Sequence, residues 1–193
     1  MLGLNVFRLN KDVVSGVYFI HTGISFMAAS IRFLMCPPHH YEVDYVINPW
    51  MEGNIHRSSF EQAKEQWQDL YQVIADRTEV DLVKPQPGWP DMVFTANAGL
   101  ILGDQVVLSR FLHPERQGEE PFFKQWFEGQ GHTVYTLPED LPFEGAGDAL
   151  LDREGRWLWA GYGFRTELDS HGYVAKWLNI EVLSLHLMDE RFY

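Results

Sequence analysis

Three glycine-bearing loops carry the residues with the greatest chemical reach. They are Pro90-Asp91-Met92-Val93-Phe94-Thr95-Ala96-Asn97-Ala98-Gly99, Phe143-Glu144-Gly145-Ala146-Gly147-Asp148 and Gly161-Tyr162-Gly163-Phe164-Arg165-Thr166. Loops on a rigid scaffold commonly carry function, and glycine lets a ligand approach the backbone closely. Glu144, followed by two glycines, reads by itself as a turn residue more readily than as a site. Other chemistries are poorly served. The single cysteine, Cys36, rules out an internal disulfide and a cysteine-built zinc site. It follows Leu34 and Met35, is placed in the first strand, and reads as a core thiol rather than a nucleophile. His39 and His40 lack an accompanying carboxylate cluster and so make a poor metal site; they are read as flanking the first strand. His186 falls within a strand and reads as a packed or surface residue.

The elements that must position these loops recur. Ser58-Ser59-Phe60-Glu61 has the form of a capping box, and Phe60, Ala63, Trp67, Leu70, Tyr71 and Ile74 follow at helical spacing. A strand over 80–83 is ended by Pro85 and Pro87. Next come a strand over 92–95 that runs on through 99–102, a Gly103-Asp104 turn, and a strand over 105–109. A helix over 119–128 carries Phe122, Phe123, Trp126 and Phe127, ends at Gly129 and Gly131, and leads into a strand over 132–137. The order then returns, with a hairpin of 148–152 and 156–160 around Glu154-Gly155, a helix over 167–178 and a strand over 180–185. The unit is strand, strand, helix, strand, with a period of roughly 50 residues, the mark of an architecture built from one supersecondary unit. About three units are legible.

Composition bounds the function. The chain of 193 residues is 46% hydrophobic and 22% charged, ordinary values for a globular protein. Lys and Arg number 15 against 27 Asp and Glu, a net charge of −12. Such a field repels phosphate backbones and anionic lipid and attracts cations, so neither a nucleic acid nor a membrane surface is an expected partner. No apolar run of about 18 residues is present, so no membrane span is expected either. Residues 1–26 read as an N-terminal extension and 27–193 as the domain. A signal peptide fits poorly at the start, because the apolar run Val17–Ile20 is flanked by Gly16, His21 and Thr22. One cysteine suits a reducing, cytoplasmic setting.

Taken together, Phe94-Thr95-Ala96-Asn97, Glu144-Gly145-Ala146-Gly147-Asp148 and Gly161-Tyr162-Gly163-Phe164-Arg165-Thr166 resemble motifs of the guanidine-modifying superfamily. Its members include arginine deiminases, dimethylarginine hydrolases and amidinotransferases. Met35-Cys36-Pro37-Pro38-His39-His40-Tyr41 and Ile47-Asn48-Pro49-Trp50-Met51 resemble its arginine dihydrolase-like branch, and the likeness runs from about Ile31 to Tyr193. The resemblance implies a five-bladed α/β propeller of ββαβ units, of which this chain holds about three.

It also implies roles. Glu144 would grip a guanidinium through paired charge-assisted hydrogen bonds. Arg116 and Arg165 would meet an amino-acid carboxylate. Asn48 and Asn97 would bind polar ends of the substrate, and Asp148 would either support the site or make a structural hydrogen bond. The implied mechanism is covalent, with a cysteine thiolate attacking the guanidinium carbon and a histidine as acid and base, and with no metal or organic cofactor. Both catalytic groups are expected beyond Tyr193. Asn97 stands where arginine deiminases carry aspartate. A neutral amide, which donates and accepts, would also hold an uncharged ureido intermediate for a second hydrolysis to ornithine. The partner implied is arginine or a derivative; dimethylarginine hydrolysis, amidino transfer and a non-catalytic binding fragment are the alternatives. An unclosed propeller edge would be covered by a partner or a second copy.

Overall fold

The computed structural model describes residues 32–192, so the extension and the domain start expected near Met27 lie outside the described residues. Two glycines in the left-handed region, Gly103 (φ 65°) and Gly155 (φ 68°), turn the chain back on itself and create the hairpins. Around them the strand–strand–helix–strand unit appears twice in full. The first full unit is β3 (Gly99–Leu102), β4 (Gln105–Leu108), α2 (Pro114–Gln117), α3 (Glu120–Gly129) and β5 (Thr133–Thr136). To keep labels in chain order, β1 (Arg32–Met35), α1 (Phe60–Ala75) and β2 (Glu79–Leu82) precede it as a partial unit. The second full unit is β6 (Ala149–Leu151), β7 (Trp157–Tyr162), α4 (Ser170–Leu178) and β8 (Glu181–His186).

In each full unit the first strand pair is antiparallel and the second parallel, with register Gly99↔Leu108 and Gln105↔Thr133, then Ala149↔Ala160 and Trp157↔Glu181. A parallel pair needs a long crossover, and the helix supplies it. The central unit is buried on both faces. Along β4, Val106 and Leu108 join a core with Cys36, Val83, Met92, Ala98, Phe123 and Phe127. Val107 points the other way, with Leu100, Phe143, Leu158, Ala160, Val174 and Leu178. The period-two alternation of a strand thus serves two cores, which is why this stretch reads as a continuous apolar run. The outer units are covered on one side only. Helix α1 has no buried residue, and the third sheet leaves Leu150, Trp159 and Leu185 exposed.

Several expectations shift. The strand expected over 92–95 is instead two 3-10 turns, Pro90–Val93 and Thr95–Ala98. Pro90 opens the first turn with a fixed φ and no N–H, and the chain closes through Phe94 N–H to Asp91 O at 2.9 Å. The cap of α1 is Ser59, one residue later than the box suggests, its Oγ accepting from Gln62 N–H at 3.3 Å. Cys36 lies one residue past the end of β1, not within it. Helix α4 starts at Ser170 and ends at Leu178, with Asn179 capping it at a left-handed φ of 50°. Among the described residues no helix is long and apolar enough to cross a membrane.

The register makes a direct contrast. Leu158 is 1% exposed and Leu150, one residue off its cross-strand partner, is 63% exposed. In this 193-residue chain, Leu158→Ala should cost about 2–5 kcal/mol and Leu150→Ala no more than about 0.5 kcal/mol, read from urea unfolding midpoints.

Candidate functional site

The loops gather at the end of the units opposite the hairpin turns. Gly145, at φ 61°, opens a 3-10 turn over Gly145–Gly147 that sets Glu144 beside the turn Thr95–Ala98 of the neighbouring unit. A Cβ on Gly145 would stand 2.8 Å from the Gly99 backbone, so only glycine allows this approach. The Glu144 N–H donates to Thr166 Oγ1 at 3.2 Å. Asn97 Nδ2 donates both to the Glu144 carbonyl at 3.3 Å and to its Oε2 at 3.2 Å.

Two guanidiniums face the same carboxylate. Arg165 Nη1 lies 3.4 Å from Glu144 Oε2, and Arg116 Nη1 lies 4.0 Å from it. Each arginine is held by a carboxylate of its own. Arg116 donates from Nε and Nη2 to Glu119 at 2.9 and 2.8 Å, and from Nη2 to the Asp91 carbonyl at 3.2 Å. Its guanidinium also lies over the Phe111 ring, 4.3 Å from the centroid. Arg165 donates from Nε and Nη2 to Asp148 Oδ1 at 3.0 and 2.9 Å, and Thr166 Oγ1 donates to Asp148 Oδ2 at 2.6 Å. Asp91 completes the group, its Oδ2 accepting from Tyr45 OH at 2.9 Å.

Four carboxylates, Asp91, Glu119, Glu144 and Asp148, therefore meet two guanidiniums. Fully ionised, the cluster would hold two negative charges in excess in a nearly dry setting. Glu144 Oε1 and Asp91 Oδ1 are buried with no hydrogen-bond partner among the described residues. Such groups are costly unless something satisfies them. Burial pushes Glu144 up to about 7, against the pull of Arg165 and Arg116. Burial also raises Asp91 and Glu119, with Arg116 opposing in both cases. For Arg116 burial works against the charge, but Glu119, Asp91 and Glu144 together outweigh it and the guanidinium stays firmly protonated. The arrangement is suited to accept a small cation that brings its own N–H donors.

Of the residues singled out in the sequence, Asn97, Arg116, Glu144, Asp148 and Arg165 come together. Asn48 does not join them through any hydrogen bond or ion pair among the described residues; its Oδ1 accepts from Trp50 and Met51 N–H at 3.0 and 3.1 Å. Asp148 accepts hydrogen bonds from Arg165 and Thr166. Asp91, Glu119, Tyr45 and Thr166 were not assigned. Glu119 was legible as the i+3 partner of Arg116, whereas nothing local connects Tyr45 to Asp91. Cys36 is fully buried with its thiol pushed up to about 12, by burial first and Glu119 second, so it is a neutral core group. His186 is exposed and stacks on Tyr162, centroids 4.9 Å apart. His39 and His40 are exposed, and among the described residues the set close enough to share an ion is instead Glu42, Asp44 and His56, all exposed. A groove of about 810 Å³ lies away from the acidic cluster, between hairpin turns lined by Gly103, Asp104, Gly155 and Arg156. The chemistry favours the cluster, since the groove lacks convergent buried polar groups.

Repeated ββαβ units that present an acid-and-arginine cluster at one end define part of an α/β propeller of the guanidine-modifying kind. The family described as "N,N dimethylarginine dimethylhydrolase, eukaryotic" matches residues 46–192, and the chain belongs to it. It is 78% identical over 167 residues to the bifunctional arginine dihydrolase/ornithine cyclodeaminase AgrE of Nostoc sp., covering 86% of this chain and 24% of that protein. It is 40% identical over 163 residues to the N(G),N(G)-dimethylarginine dimethylaminohydrolase of Mycobacterium tuberculosis, covering 84% of this chain and 52% of that one. The substrate-bound N-terminal domain of ArgZ, a cyanobacterial arginine dihydrolase, superposes with a TM-score of 0.83 at 76% identity, over 84% of this chain and 60% of that one. A dimethylarginine dimethylaminohydrolase at 17% identity shares the fold, with a TM-score of 0.71 over 82% of this chain and 62% of that one. The chain thus spans about a quarter of the length of AgrE.

The sign of the Glu144 shift yields a pH dependence. A carboxyl raised from 4.5 to about 7 binds its proton more tightly in the folded state. Its contribution to stability is therefore present below the unfolded value and lost as pH rises through the folded one. Cation binding runs the other way. Affinity for a small guanidinium should climb by up to about tenfold per pH unit below about 7, then level off. Glu144→Gln should flatten that slope in a calorimetric titration series.

Proposed function

We propose that this chain is the guanidinium-binding part of a hydrolase that converts arginine to ornithine, carbon dioxide and two ammonia. The observation that carries the reading is Glu144 Oε1, a buried carboxylate oxygen without a partner in a cluster richer in acid than in base. A guanidinium offers that oxygen a planar cation with N–H donors. Arginine carries a second cation, its α-ammonium, and Asp91 Oδ1 is the second unpartnered acceptor. Arg116 and Arg165 are the proposed counter-charges for its carboxylate, and Asn48 and Asn97 the proposed neutral contacts. Support comes from AgrE and ArgZ, both described as arginine dihydrolases, and from an ArgZ structure whose substrate complex uses a cysteine-to-serine mutant.

The chemistry is covalent. A cysteine thiolate adds to the guanidinium carbon, ammonia leaves, and water releases a ureido product, with histidine moving the protons. A second hydrolysis of that ureido group gives ornithine, carbon dioxide and the second ammonia. Cys36 is unsuited to the nucleophilic role, and the proposed nucleophile and histidine lie beyond Tyr193. No cofactor is required, and the single buried cysteine suits a cytoplasmic enzyme. A second reading, hydrolysis of methylated arginine, is favoured by the description of the matching family. Product analysis separates the two: ornithine with ammonia, or citrulline with a methylamine.

Asn97 is the proposed determinant of the second step. Its Nδ2 donates to Glu144 Oε2, and an aspartate there would set a second carboxylate against the first. The longest native form of the protein carrying Asn97→Asp should accumulate citrulline. If it yields ornithine alone, the role assigned to Asn97 is wrong. The 193-residue chain by itself should release no ammonia from arginine, and turnover above a blank that Glu144→Ala abolishes would overturn that.

A further inference from the structure

Both arginines of the cluster are engaged in the same way. Each presents its Nε and Nη2 edge to one dedicated carboxylate, Glu119 for Arg116 and Asp148 for Arg165. Each approaches Glu144 with Nη1, at 4.0 and 3.4 Å. Arg116 also directs Nη2 to the Asp91 carbonyl at 3.2 Å, which leaves that nitrogen no proton for an end-on fork toward Glu144. Glu119 is 0% exposed, and both of its oxygens are committed to Arg116.

The need for such tethers follows from elementary chemistry. A carboxylate shaped to take a guanidinium will take any guanidinium within reach, and the nearest ones belong to the protein itself. A bidentate arginine–carboxylate pair formed inside the site would be strong and permanent. We propose that Glu119 and Asp148 are positioning residues that keep the protein's own guanidiniums from forking onto Glu144, leaving its Oε1 for a guanidinium from outside. This rests on the reading of Glu144 as the guanidinium-binding group. Glu119 does more than neutralise a buried charge. It selects which edge of Arg116 is occupied, with Phe111 fixing the guanidinium over its ring at 4.3 Å. Remove Glu119 and the nearest acids left to Arg116 are Asp91 and Glu144.

The test uses methylguanidinium, which has neither an α-carboxylate nor an α-ammonium, so a direct contact of Arg116 with a substrate carboxylate plays no part. Binding is followed in the intact protein through the side-chain amide resonances of Asn97, whose Nδ2 lies 3.2 Å from Glu144 Oε2. Glu144→Ala should abolish binding; wild-type affinity in that variant would sink the underlying reading, whatever Glu119 does. Glu119→Gln should weaken binding by about tenfold or more, and Glu119→Gln with Arg116→Met should return it to within about threefold of wild type, the signature of coupled neighbours. A merely structural loss would not be rescued by removing Arg116. Wild-type binding in Glu119→Gln, or a double variant as weak as the single, overturns the proposal. Should Glu119→Gln not fold, Asp148→Asn with and without Arg165→Met makes the same comparison and is read the same way.

Discussion

The site depends on one unfavourable act, the burial of the Glu144 carboxylate. At 1% exposure it forgoes water, and the cost appears as a carboxyl held near 7 rather than 4.5. Direct pairing with an arginine fork would relieve that cost but would also consume the group. The fold takes a middle course. Two guanidiniums stand close enough to lower the electrostatic penalty and are held back by their own carboxylates. Glu144 keeps one engaged oxygen and one unpartnered oxygen, so part of its desolvation cost remains for a ligand to offset.

That arrangement draws on every unit described. Glu144 and Asp148 flank the glycine turn before β6, Arg165 follows β7, Arg116 sits on the short α2 of the preceding unit, and Asp91 and Asn97 belong to the turns before β3. Tyr45, from the loop after β1, reaches Asp91. Polar side chains from different units meet only because the apolar faces beneath them fix the units against one another. Val107 and Leu158 on one side of β4 and Val106 and Phe123 on the other perform that task.

How far this was legible in the sequence divides along physical lines. The hairpins, α3, α4 and the period of the units follow from glycine turns and apolar spacing, which are local signals. Met92-Val93-Phe94 looked like a strand because its side chains are β-formers; Pro90 and the polar demands of the site made it a turn. The glycine-bearing loops mark where Glu144, Asn97 and Arg165 stand, but a role for each comes only with the resemblance to a family. Glu119 stands three residues after Arg116, a spacing that permits a pair, but a charged residue beside a helix start is ordinarily solvated, and full burial against Arg116 is a tertiary outcome. The Tyr45–Asp91 bond spans 46 residues, and no spacing rule reaches that far.

A ligand at the junction of units also acts on the fold itself. Asn97 and Glu144 come from neighbouring units and meet across the seam between them. A cation bound to Glu144 would favour the closed seam over any state in which the units part, and by linkage the seam would favour the cation. Burial is the largest influence on Asp91, Glu119 and Glu144, and at each of them the pull of the arginines exceeds the repulsion from any one neighbouring acid. An arriving guanidinium would meet the Glu144 carboxylate in a dry interior with little screening, where the attraction between them is strong. Binding therefore offsets part of the desolvation cost that Glu144 carries at its unpartnered Oε1, a cost that the tethers prevent the protein from offsetting alone.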